Sequence, residues 1–304
     1  MGDAQLGGQS TPRDTRVIVV PRGVSLPSLV RKLGLGAVLI GFAVLSVIPI
    51  WWMFITGVED TADFYHIPPT LWPSGWDFAR IPQAWTPGPG LSFTTFLINT
   101  GIITGLVVLG AALSASIVAY GFARLHFPGR EVLFALMLST MMLPLAVTVI
   151  PVFLLFRDLG WIDTFLPLTV PAFFGNAFNI FLLRQFYRSI PPELEEATRM
   201  DGGSALTIWW YIMIPLSAPA LATVAIFSFI STWNDFFYPL IFLNSPAKFT
   251  IQLALHLFQG EYGGSDLQGM MAVAFLAVVP CIVIFFFFQR YFFRGIVTSG
   301  FGGR

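Results

Sequence analysis

Residues 190–215 read IPPELEEATRMDGGSALTIWWYIMIP, a polar island in an otherwise apolar chain. Pro191 and Pro192 suit a helix start, where a missing N–H costs nothing. Glu193, Glu195 and Glu196 follow in the first turn, where the positive end of the helix dipole favours carboxylates. Gly202 and Gly203 stop the helix, and Ser204 can cap a second one. The stretch therefore predicts a short helix, a glycine turn and another helix, at the mouth of a membrane-crossing segment.

The composition around the island sets the class. Of 304 residues, 56% are hydrophobic and 11% charged, against roughly 25% charged in a soluble domain. So much apolar surface exceeds what a water-soluble core can hide, and an all-α polytopic membrane protein is expected. The net charge is zero, so no nucleic acid or other polyanion is implied as a partner. The single cysteine, Cys281, lies in an apolar run and reads as packing.

Charge-free gaps give the spans, since a helix needs about 20 apolar residues to cross the hydrocarbon. Six are expected, at 34–57, 95–121, 133–155, 166–186, 216–240 and 268–290. Lys and Arg then set the orientation. Thirteen lie in the N-terminus, the second and fourth connections and the C-terminus, against three (Arg80, Arg157 and Lys248) in the alternate loops. Both termini and the island are therefore expected to face the cytoplasm.

Residues 1–32 read as a disordered tail, because they are rich in Gly, Ser, Pro and Arg and weakly periodic. The following apolar run lacks a small-x-small exit and reads as a retained helix rather than a cleaved signal. The loop from 59 to 92 is rich in Pro and Trp, which suits either an interfacial belt or a docking surface for an external partner. The turn AYGFARLHFPGR (119–130) carries Arg124 and Arg130, charges explained by topology. Prolines at 144, 151, 167 and 171 fit kinked helices around a cavity, and equally an ordinary bundle. Asn99, Asn176 and Asn179 could line a polar path or join helices. Asp235, in WNDFFYPLIFL (233–243), is an acid at the membrane edge, suited to a substrate path or to capping a helix.

Little chemistry is open to the chain alone. Its two lysines precede Leu33 and Phe249, so there is no P-loop. His66, His126 and His256 fall in separate loops without a metal-binding pattern, Gly-x-Ser-x-Gly is missing, and Asp235 has no second intramembrane carboxylate. No metal, cofactor or enzyme activity is expected. Nor is there an inverted repeat of helix pairs, which weighs against a self-sufficient secondary transporter.

The island resembles the signature loop of type I ATP-binding cassette importer permeases: Glu-Ala-Ala, three residues, Gly, nine residues, Ile, one residue, Leu-Pro. Here it reads Glu196-Ala197-Thr198, Gly202, Ile212, Ile214-Pro215, with Thr198 and Ile214 as mild departures. AYGFARLHFPGR, MLPLAVTVIPVFLLFRDLGWIDT, FLLRQFYRSIPPELEEATRMDG and WNDFFYPLIFL are similar to the six-span subunit of maltose and glycerol-3-phosphate type systems, from about residue 33 onward. The resemblance implies a transmembrane domain over 93–290 with a coupling loop at 190–205, after a first helix and external loop at 33–92, and a tail at 291–304. It implies an ATPase-coupling role for Glu195, Glu196, Ala197, Asp201 and Gly202, and a translocation path touching Asn176, Asn179, Asn234, Asp235 and Tyr238. It also implies partners: a second permease, an ATPase dimer that binds the ATP and magnesium, an extracytoplasmic sugar-binding protein and the bilayer. A sugar is the expected cargo, with glycerol-3-phosphate or another non-sugar as the alternative.

Overall fold

A computed structural model describes residues 26–68, 72–259 and 266–300. The expected tail at 1–32 lies mostly outside them. Among the described residues the architecture is helical, with two isolated β-bridges, Glu59–Trp76 and Gly88–Leu91. Helix α1 runs Leu26–Val58, beginning inside the segment expected as tail, and α2 runs Phe93–Arg124. Ser92 starts α2 by accepting a hydrogen bond from the Thr94 amide.

The third expected span is not one straight helix. After Gly129, in the left-handed region at φ 79°, α3 runs Arg130–Ser139 and α4 runs Leu145–Asp158, with a 101° bend between them. Pro144 explains the break: it has no N–H to donate, and it disfavours helical backbone at Leu143. The fourth span, Leu166–Ser189, passes through a 3-10 turn, Val170–Phe174, and Gly175 at φ 92° before α5, Ala177–Ser189. The island itself forms α6, Glu193–Met200, and α7, Ala205–Leu216.

The fifth span also departs from the expected continuous helix over 216–240. Here α8 covers Ala218–Trp233, bent by 77° from α7, and a separate α9 covers Phe237–Phe242. The Asp235 carboxylate accepts hydrogen bonds from the Phe237 and Tyr238 amides, so it starts α9 as a cap. A short α10, Ile251–Leu255, precedes α11, Leu267–Gly300, which carries Pro280 and reaches into the segment expected as C-terminal tail. Among the described residues, four helices are long and apolar enough to cross a membrane, or up to six spans if each bent pair counts as one.

The core sits on α2. Ala111, Ala115 and Ala119 recur every four residues, presenting one small-residue face. Leu183 and Tyr187 of α5, Ile208 and Met213 of α7 and Val224 of α8 pack on it. In lipid, such close approach gains dispersion energy rather than hydrophobic transfer energy. A second cluster joins Phe93 and Phe96 of α2 to Ile251, Ala254 and Val273. The end of α1 packs on α11 without intervening side chains: a Cβ added at Gly57 would lie 2.6 Å from Ala272 Cα. Phe54 and Phe275 meet there at 5.1 Å, and the Gln268 amide donates to the Glu59 carbonyl at 3.2 Å.

Candidate functional site: a capped helical hairpin and a cavity

The hairpin is built from its caps. Helix α6 ends in a complete left-handed stop: the Gly203 amide donates to the Thr198 carbonyl at 2.8 Å, and the Gly202 amide to the Arg199 carbonyl at 3.0 Å. Gly202 holds φ 82°, which a side chain adopts only with strain. Gly203 is required for a different reason, since a Cβ there would lie 2.6 Å from Thr198 Cγ2. Ser204 then caps α7 by accepting from the Thr207 amide at 3.2 Å. Of the expected coupling residues, Glu196, Ala197, Asp201 and Gly202 are exposed, and Met200 beside them is 88% exposed. They form an outward face that no other element covers among the described residues.

Glu195 is placed otherwise. It points inward and is 6% exposed. Its Oε1 lies 2.9 Å from Arg124 Nε, and its Oε2 is 3.8 Å from Arg199. The Arg124 N–H is not aimed squarely at that oxygen, so the contact is an ion pair by proximity. Arg124 Nη2 also donates to two carbonyls at the end of α5, that of Tyr187 at 2.6 Å, which accepts the Ile190 amide as well, and that of Ile190. Nearby, Arg184 Nη2 bonds both Glu131 oxygens at 3.1 and 3.2 Å, its Nε donates to the Phe122 carbonyl, and its guanidinium sits 3.8 Å over the Phe134 ring. Of the two pairs only Arg124–Glu195 is buried on both sides, and removing one partner from a buried pair costs about 3–5 kcal/mol.

Sequence reasoning read Arg124 and Arg184 only as topology charges, and it missed Glu131. The available signal was position: Arg124 is the last residue of its helix, where cations meet unpaired carbonyls.

The cavity has a volume of about 830 Å³ and is bounded by α2, α4, the segment 167–175, α5, α8 and α9. Asn176, Asn179, Asp235 and Tyr238 line it with Ser228, Ser231 and Thr232, among aromatic side chains. None of the residues lining it is Lys, Arg or His. Asn176 is also the cap of α5, accepting from the Phe178 and Asn179 amides. Buried Asn179 reaches Ser228 Oγ at 3.5 Å, the limit for a hydrogen bond. Asn234 is not part of the lining; it donates to the Ile230 carbonyl at 2.8 Å and contacts Gln252. Asn99 joins elements instead, donating to the Ala247 and Phe249 carbonyls at 3.0 Å.

A bundle of broken membrane helices around a polar cavity, with a rigid hairpin projecting at the arginine-rich end, defines a transport component. Residues 111–298 match the family described as binding-protein-dependent transport system inner membrane component, and the chain belongs to it. Among its relatives is the sn-glycerol-3-phosphate transport system permease protein UgpE of Yersinia pestis. The two are 29% identical over 259 residues, covering 84% of this chain and 92% of that one. The arabinooligosaccharides transport system permease protein AraQ of Halalkalibacterium halodurans is 34% identical over 214 residues, covering 70% and 76%. A solved bacterial ABC transporter involved in import of the acidic polysaccharide alginate superposes with a TM-score of 0.75 at 28% identity, covering 88% of this chain and 98% of that one.

Proposed function

We propose that this chain is a pore-forming permease subunit of an ATP-driven importer, moving a sugar, of di- or oligosaccharide size, into the cell. The observation that carries the reading is the hairpin: a short helix, stopped by Gly202 and Gly203, whose outward face nothing covers among the described residues. A separate ATPase dimer supplies ATP and magnesium chemistry and docks on Glu196, Ala197, Asp201 and Gly202. A second permease closes the cavity, and an extracytoplasmic binding protein delivers the cargo. The thirteen-to-three partition of Lys and Arg supports cytoplasmic termini and a cytoplasmic hairpin in the inner membrane.

Asn176, Asn179, Asp235 and Tyr238 form this subunit's share of the path; Asn234, expected among them, is omitted because it does not line the cavity. An anionic cargo of the UgpE kind is the second reading. It calls for basic groups beside the solute, and the lining residues of this chain supply none. A neutral sugar is therefore favoured.

The test is Gly202→Asp, which places a charge and a Cβ at φ 82° on the docking face. The variant is expected to insert normally and to abolish uptake in cells expressing the whole transporter. Normal uptake refutes the coupling role.

A further inference from the structure

We infer that Arg124 is the joint through which the hairpin moves the walls of the cavity, with Glu195 as its handle. This rests on α6 being the docking element proposed above.

Three segments meet at one guanidinium. It terminates α2, it holds the Tyr187 and Ile190 carbonyls at the end of α5, and its Nε faces the Glu195 carboxylate on α6 at 2.9 Å. Both charged side chains are withdrawn from solvent, at 12% and 7% exposure, so the pair is little screened. The two helices it grips both line the cavity, α2 through Ile103 and Val107 and α5 through Phe178 and Asn179. Other links also leave the hairpin: the backbone from Ile190 to Pro192 runs to α5, Ile208 and Met213 of α7 pack on α2, and Arg199 of α6 approaches Tyr120 of α2. The Arg124–Glu195 pair differs from these in that a buried carboxylate of α6 meets one guanidinium fixed to both walls, so displacing α6 loads α2 and α5 together. Arg124 is thus a positioning residue, since it faces neither the cavity nor the outward side of α6.

The experiment uses the assembled transporter in proteoliposomes and reads ATP hydrolysed per solute imported. Glu195→Gln removes the charge, keeps the shape, and leaves the carbonyl bonds of Arg124 in place. Uptake is expected to fall about tenfold while solute-stimulated ATP hydrolysis stays within about twofold, a coupling loss of the usual allosteric size. Glu195→Asp, which restores the charge on a shorter side chain and leaves Arg124 on its carbonyls, is expected to recover part of the ratio. A Glu195→Gln transporter with an unchanged ratio overturns the inference, including one in which uptake and hydrolysis fall together. Failure of both variants to assemble overturns it too, because the pair is then a folding contact. If Gly202→Asp abolishes uptake while Glu195→Gln keeps the ratio, the joint fails and the docking reading stands; if Gly202→Asp leaves uptake intact, the docking reading itself fails.

Discussion

Asp163 is, among the described residues, the one non-glycine with positive φ, at 59°. Its Oδ1 accepts from the Asn244 and Ser245 amides at 3.0 and 2.9 Å, and its Oδ2 from Ser245 Oγ at 2.5 Å and Lys248 Nζ at 2.9 Å. One carboxylate thus ties the connection after α4 to the connection after α9. The Ser245 hydroxyl, then its amide, then Lys248, hold this carboxyl well below the usual carboxylate range. A depressed folded value means the linked stability is present in full above the unfolded value, about 3.9, and is lost as pH falls through the folded one. Amide protection factors at Asn244 and Ser245 should therefore stay level from neutral pH down to about 4 and drop only in stronger acid. Asp163→Ala should cost about 1–3 kcal/mol locally, visible as lost protection at the same two amides. Nothing in the sequence marked Asp163, because its partners lie some eighty residues on and only the fold brings them near. Arg124 was hidden differently: the bilayer asks for a cation at that depth for orientation, and this sufficed to explain it until the carbonyls around it were seen.

At the scale of the element, the hairpin was the most legible part of the chain. Proline, glycine and serine act on their own backbone, so helix, stop and second cap could be read without tertiary knowledge. Burial could not. Four acidic residues in nine positions look alike in sequence, yet Glu195 turns inward while Glu193, Glu196 and Asp201 stay in solvent. The straightness of the spans was equally hidden, since charge-free length reports where a chain crosses and not whether its axis bends. Pro144 and Asp235 left a kink and a capped break open as alternatives, and the structure places breaks after Met142 and at Asn234–Phe236. Gly203 provides the sharpest test at this scale. Gly203→Ala brings a Cβ to 2.6 Å from Thr198 Cγ2 and 2.9 Å from the Thr198 carbonyl oxygen, so the stop must open. A loss of about 1–3 kcal/mol is expected from such overpacking, read as a lowered Tm of the purified transporter. Gly203→Ala combined with Thr198→Ala should recover part of it, because the closest of those atoms is gone.

At the scale of the whole molecule, the class and the family were legible because lipid imposes a coarse rule: long apolar runs separated by charge. The interior was not, since the polar atoms around the cavity come from three separate helices and their caps. Orientation remains a prediction with a direct readout. In a Cys281→Ala background, Met200→Cys should react with a membrane-impermeant thiol reagent only from the cytoplasmic face, and Tyr65→Cys, itself 74% exposed, only from the outside. The contact of Gly57 with Ala272 has a further meaning for how such a chain is made. The backbone that receives Gly57 is translated more than two hundred residues later, so that end of the first helix waits long for this neighbour. Until then the nascent protein holds its leading helix by hydropathy and by the tryptophans at 72 and 76, and no tertiary checkpoint can inspect that seam before α11 has been made.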